Sequence, residues 1–312
     1  MAAAFGPAQH LKGYLPDLPT PFDVDGELDL TALTRLCHRH VADGGGAFVI
    51  CTATGEAPTL TQDERIALIR CAVQAVKGRV PVIAGTSSND TARAIAFARD
   101  AAHAGTSAII ASVPYYNKPT QAGLFAHFSA LAEHCDVPII LHDEPDRCVR
   151  ALDDDTVLRL VEWPKIVALC DASGDLARLA RLRARVGRGT RLLSSDDVNA
   201  PAFIAMGGDG CISGACAIAP LLCRAFYNHA SQGDMAKARR LSLDLGTLTA
   251  AMSYESGPAP LKHALALMGA MSDTLRLPLL PASKPAQTAV AEALAALQGW
   301  LDCDDKLCVN AG

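Results

Sequence analysis

No apolar run in this 312-residue chain approaches the roughly 18 residues that a membrane-spanning helix needs. Residues 1–10 carry no basic stretch followed by a long apolar one. No secretory leader is read there, and the cytoplasm is the expected compartment. An excess of positive charge is also missing. Lys and Arg number 28 against 33 Asp and Glu, for a net charge of −5. Nucleic acids and anionic membranes select basic surfaces, so neither is expected as a partner. There is no Cys-x-x-Cys pair, although the chain has 11 cysteines at irregular spacing. Without a leader, most are expected to be reduced and packed as small hydrophobes. No Gly-x-Gly-x-x-Gly loop follows the first strand. A dinucleotide site loses its usual marker, and no cofactor is expected.

What the chain does have is alternation. Half of its residues are apolar and a fifth are charged, as in a globular protein with a sizeable core. Short apolar runs recur between segments of helical spacing. Strands are expected within 13–22, 47–51, 80–86, 107–113, 137–143, 166–170, 191–196 and 210–213. Helices are expected over 28–43, 61–76, 90–104, 120–134, 155–162, 176–186, 199–206 and 221–230. Thr61 followed by Glu64 reads as a capping box. Strands apolar on both faces, repeated eight times with helices between, fit an α/β (β/α)8 TIM barrel better than an open sheet. After residue 234 only helices are expected, over 235–252, 260–268 and 284–301. The organisation is then a loose arm (1–12), a barrel (13–233), a C-terminal helical domain (234–301) and a frayed tail (302–312).

Barrel chemistry gathers where strands end. Those exits carry Ala53-Thr54-Gly55-Glu56, Tyr115-Tyr116-Asn117, His142-Asp143-Glu144, Cys170-Asp171 and Ser194-Ser195-Asp196-Asp197. Asp196 and Asp197 are expected to serve a loop or a helix cap. His38 and His40, two apart on a helix, share no face and are expected in solvent. Arg178, Arg181, Arg183, Arg185, Arg188 and Arg191 are expected to form the wet face of a helix.

The exits also carry a resemblance. Thr54-Gly55-Glu56 precedes Thr59-Leu60. Pro114-Tyr115-Tyr116-Asn117-Lys118-Pro119 precedes Gly123-Leu124 and His127-Phe128. Thr274-Leu275-Arg276-Leu277-Pro278 follows near the C-terminus. Over residues 13–295 this pattern resembles the dihydrodipicolinate synthase / N-acetylneuraminate lyase family, and its dihydrodipicolinate synthase branch most. The resemblance implies a homotetramer or homodimer of barrels that takes pyruvate as a Schiff base on a strand-6 lysine. It also implies a proton-relaying strand-5 tyrosine, helped by a strand-2 threonine and a tyrosine of the neighbouring subunit. An arginine after strand 5 would hold the second substrate's carboxylate. Tyr116, Thr54 and Arg147 match these roles. Three positions depart: the lysine is Cys170, the strand-5 tyrosine is His142 and the relay threonine is Ala53. Lys165 lies five residues before Cys170, roughly 16 Å away along an extended strand.

An imine needs an amine, and a thiol adds to a ketone only as a hemithioketal, without the same electron sink. The resemblance with its departures therefore implies a lyase homologue that binds a small pyruvate-like keto- or hydroxy-carboxylate at the barrel mouth without a Schiff base. The catalytic candidates are Cys170, His142 and Tyr116. The substrate-binding candidates are Ala53, Thr54, Glu144, Arg147 and Ile212. Three alternatives stand beside this reading. One is a non-catalytic carboxylate binder or sensor. Another is residual 4-hydroxy-tetrahydrodipicolinate synthase activity. The third is a Cys–His nucleophile, with His142 lowering the Cys170 pKa and Glu144, on the same strand face, orienting the ring. Plain strand-end filler describes Cys170 equally well. Cys170, His142 and Glu144 are ligand types, but their spacing is no metal signature, so no metal is expected.

Overall fold

The structure is a computed structural model that describes residues 7–187 and 189–301. Eight strands run in parallel: β1 (Gly13–Pro16), β2 (Phe48–Ile50), β3 (Val82–Gly85), β4 (Ala108–Ser112), β5 (Ile139–Asp143), β6 (Ile166–Asp171), β7 (Arg191–Ser194) and β8 (Gly210–Ser213). Each pairs with its sequence neighbour, and β1 pairs with β8. A parallel bridge between Asp17 and Val49 joins β1 to β2 and closes the ring. The (β/α)8 barrel expected from the alternation is the fold observed.

Period-two alternation sorts the strand side chains into two cores. Leu15, Val49, Ile83, Ile110, Ile140, Ala168, Leu193 and Ile212 fill the inside of the barrel. Their neighbours, such as Ile139, Leu141 and Leu169, face the surrounding helices. The same period carries onward to the mouth. Two residues past Leu15, Ile110, Ile140, Ala168 and Leu193 come Asp17, Ser112, His142, Cys170 and Ser195. Gly85 is required at the rim, because a Cβ there would lie 2.0 Å from the Cys51 carbonyl oxygen.

Helices cover the outside, and several start as the sequence dictates. Thr61 and Glu64 make the full capping box of Gln62–Val76. Three short turns were not foreseen: Ala57–Thr59, Pro145–Cys148 and Ala215–Ile218. The helix expected over 284–301 is two, Lys284–Ala296 and Gln298–Leu301, broken at Leu297 with poorly helical Gly299 just beyond.

The C-terminal helices Met235–Met252 and Ala259–Leu267 reach back to the barrel mouth. Lys262 and Glu56 form an ion pair with both side chains fully buried. Lys262 also donates to the Thr274 carbonyl at 2.7 Å. Arg276 donates its backbone N–H to Glu56 Oε2 at 3.0 Å, and its guanidinium reaches Glu64. The Lys262 and Arg276 cations each stand 4.3 Å from the centre of the Phe22 ring.

Three expectations change here. The arm is not loose up to residue 12: Pro7–His10 makes a helical turn, and Leu11 is buried within the core inside the barrel. His40 is not in solvent. It continues the Leu33, Leu36, Cys37 stripe and is buried, so desolvation lowers its pKa to about 3. Arg178 is not on a wet face either. It sits in a buried carboxylate cage, 2.8 Å from Asp143, 3.3 Å from Asp171 and 3.2 Å from Asp154, tying the exits of β5 and β6 together. Arg188, residues 1–6 and the tail 302–312 lie outside the described residues.

Candidate active site

A cavity of about 710 Å³ opens at the C-terminal ends of the strands. Ala53, Thr54, His142, Glu144, Arg147 and Ile212, all candidates from sequence, line it, together with Asp17 and Ser195. Two candidates stand apart. Cys170 is fully buried behind this wall, and Tyr116 is 87% exposed, with a left-handed backbone at φ 69°. Tyr115, beside it, lines a smaller cavity of about 230 Å³ that His142, Glu144 and Arg147 also border.

His142 is the hub. Its Nε2 lies 2.9 Å from Ser195 Oγ, and its Nδ1 lies 3.1 Å from Glu144 Oε1. Ser112 donates its hydroxyl to the same carboxylate oxygen at 2.7 Å. Ser112 Oγ also lies 3.3 Å from Nδ1, so an Nδ1–H donates to that hydroxyl, which donates in turn to Glu144, and this side of the ring keeps its proton on Nδ1. Nε2 is left as an acceptor for the Ser195 hydroxyl. Burial lowers the His142 pKa; Glu144 opposes that shift, Arg147 adds to it and Asp171 opposes it. The ring is neutral at neutral pH.

Cys170 is neutral as well. Its Sγ donates to the Ser194 carbonyl at 3.4 Å, and burial pushes its pKa well above the ordinary thiol value. The thiolate–imidazolium couple weighed from sequence is therefore not formed. Cys170 and His142 do sit opposite each other on paired strands. However, desolvation disfavours both charged forms, and the ring nitrogens are engaged by Ser195 and Glu144 instead.

Two groups escaped the sequence reading. Asp17, just past the end of β1, accepts from Thr52 Oγ1, which lies 2.7 and 2.9 Å from its two carboxylate oxygens. Burial, only partly offset by hydrogen bonds from Thr54 and Thr52, raises its pKa to about 7. A carboxyl poised there is suited to acid–base work. Its signal was available, since it is the one carboxylate among the apolar and proline residues of 14–19. Ser195 was noted only as part of an exit. Its partner lies 53 residues earlier, so no local spacing could have paired them.

The remaining acids of the rim are occupied. Asp196 accepts from the Val198 N–H at 2.9 Å, and Asp197 accepts from Ser213 Oγ and from the Ala215 N–H. Both serve the loop and helix starts expected of them. Among the residues lining the large cavity, Arg147 is the one permanent cation, with its Nε 3.5 Å from Glu144 Oε2. Lys165 Nζ donates to the Cys135 carbonyl at 2.6 Å, near the opposite end of the barrel. Among the described residues, no group of three or more His, Cys, Asp or Glu is arranged to hold a metal ion.

Residues 10–297 match the model of the Dihydrodipicolinate synthetase family. The 4-hydroxy-tetrahydrodipicolinate synthase of Thiobacillus denitrificans is 45% identical over 272 residues, spanning 87% of this chain and 92% of that one. The crystal structure of dihydrodipicolinate synthase from Aquifex aeolicus superposes with a TM-score of 0.90 at 35% identity, covering 93% of this chain and 99% of that one. A chloride-inhibited dihydrodipicolinate synthase from Acinetobacter baumannii, complexed with pyruvate, gives 0.89 at 35% identity, with 91% and 98% covered.

Proposed function

The chain belongs to the dihydrodipicolinate synthetase family, and from that premise we propose that it binds a small keto- or hydroxy-carboxylate at the barrel mouth without forming an imine. One observation carries this reading: no lysine lines the cavity, and the strand-6 side chain behind it is the thiol of Cys170. A protonated thiol neither condenses with a ketone nor serves as an electron sink. Arg147 supplies the charge for a carboxylate, and Thr54 and Ala53 border the same space. Asp17 and His142 supply the titratable groups, so chemistry in this site runs through proton transfer.

Assembly into a homotetramer or homodimer belongs to the same reading. An aromatic as exposed as Tyr116, held in a left-handed backbone, is what an interlocking subunit contact would use. The cytoplasm is the proposed compartment. Among the described residues, no helix is long and apolar enough to cross a membrane.

A thermal-shift screen of small keto and hydroxy acids tests the binding. At least one should raise the melting temperature in wild type and raise it less in Arg147→Ala at the same concentration. No shift across the whole panel would reject the proposal.

A further inference from the structure

Ser195, His142 and Glu144 stand in the relation of nucleophile, base and orienting carboxylate. The separations are 2.9 Å from Ser195 Oγ to His142 Nε2 and 3.1 Å from His142 Nδ1 to Glu144 Oε1. The links come from the ends of two strands. Ser195 follows β7, His142 is in β5, and Glu144 sits two residues beyond His142 on the same side of the chain. Ser112, from β4, touches both His142 and Glu144, with its Oγ 3.3 Å from His142 Nδ1 and 2.7 Å from Glu144 Oε1. His142 is 6% exposed and cannot swing freely, whereas Ser195 is part-exposed and opens onto the large cavity.

We infer that Ser195 is a base-activated nucleophile, with His142 as its general base and Glu144 as the positioning residue, acting on the ester or lactone of a small carboxylic acid. The requirement is geometric. A serine hydroxyl is a weak nucleophile until a neighbouring base accepts its proton, and the base must present an unprotonated nitrogen. Glu144 fixes that tautomer through Ser112: Nδ1–H donates to Ser112 Oγ at 3.3 Å, and that hydroxyl donates to the Glu144 carboxylate.

The step balances within the site. Ser195 Oγ bonds to the carbonyl carbon while its proton passes to His142 Nε2. The ester C–O bond then breaks, and the departing alkoxide takes that proton. Water, deprotonated by the same nitrogen, hydrolyses the acyl-serine to give the acid and free Ser195. Cys170 borders Ser195 but keeps its proton: its Sγ donates to the Ser194 carbonyl, and burial outweighs the side-chain hydrogen bond with Ser195. The inference rests on the cavity proposed above for carboxylates, with Arg147 available for a second carboxylate on the substrate.

The test uses a small fluorophosphonate on the full-length wild-type protein, with intact mass and peptide mapping. The probe carries no carboxylate, so its reaction is independent of carboxylate binding. Labelling forms an Oγ–P bond and expels fluoride as the proton moves to His142. One adduct is expected, on Ser195 and absent in Ser195→Ala. His142→Gln should slow labelling about 100-fold. Glu144→Gln should slow it less and shift its pH midpoint, which a purely structural change would not do. The charged groups facing His142, namely Glu144, Arg147 and Asp171, stay in place in Ser195→Ala and His142→Gln. No adduct on wild type, an adduct on Cys170 or Tyr116 instead, or a rate indifferent to His142→Gln overturns the inference. A carboxylate thermal shift without any adduct would leave the proposed function standing and remove only this inference. Because the wild-type mapping needs no variant, a poorly folding mutant cannot obscure the outcome.

Discussion

Where β2 leaves the barrel, Glu56 is clasped by Lys262 and the Arg276 backbone in a fully buried ionic lock. Where β5, β6 and β7 leave it, His142, Cys170 and Ser195 meet as neutral groups. The first region carries motifs that resemble the family, Thr54-Gly55-Glu56 and Thr274-Leu275-Arg276, and joins the C-terminal helices to the mouth. The second holds two of the three positions where the resemblance breaks, Cys170 and His142. The contrast separates two jobs that one rim performs. Charge holds the architecture together, because an unpaired buried ion is too costly to leave. Chemistry, by contrast, is set by which hydroxyl or ring faces the cavity, and such a group can change without disturbing the lock.

Breaking the lock should give the largest effect. Lys262→Met strands the Glu56 carboxylate in the interior and should cost about 3–5 kcal/mol in urea unfolding. A loss below about 1 kcal/mol would mean that the pair does not hold the C-terminal helices.

Asp17→Asn should act in the other direction, with a defined pH dependence. Below about pH 4 the Asp17 carboxyl is protonated in both folded and unfolded chains and costs nothing. Between the ordinary value of 3.8 and the folded value of about 7, the unfolded chain ionises first. Stability therefore falls across that window and is level above it. The variant should gain on the order of 4 kcal/mol over wild type at pH 8 and little at pH 4. Equal stabilities at both pH values would refute a raised carboxyl.

Arg147→Ala probes the neutral side of the comparison. Its half-exposed guanidinium is screened, so its loss should weaken a bound carboxylate only about tenfold by calorimetry while leaving the fold intact. The smallest effect belongs to Cys170→Ala, which removes one buried sulfur. It should cost about 1 kcal/mol or less and leave ligand affinity unchanged. Affinity loss there would make the thiol part of the site.

Much of this contrast was legible in the sequence because its signals are local. Continuous apolar strands revealed the eight staves. The resemblance placed His142 and Cys170 toward the mouth, and two-residue alternation put Glu144 on the face of His142. Thr61 and Glu64 announced their helix. What stayed hidden depended on partners far along the chain. His40 was assigned to solvent from its two-residue spacing to His38, and Arg178 from its place in a run of arginines. Yet His40 extends the buried i, i+3, i+4, i+7 stripe of its own helix. Arg178 is buried only because Asp143, Asp154 and Asp171 converge on it from other elements. Ser195 and Asp17 gained meaning for the same reason, once the closed ring set their strand ends beside His142 and Thr52.

The most direct measurement is intact mass after borohydride reduction with excess pyruvate, for wild type beside Cys170→Lys. An uncharged strand-6 position with no lysine in reach predicts an unchanged wild-type mass, with an adduct allowed only in the variant. A reduced pyruvate adduct on the wild-type chain, mapped to any lysine, would contradict the account.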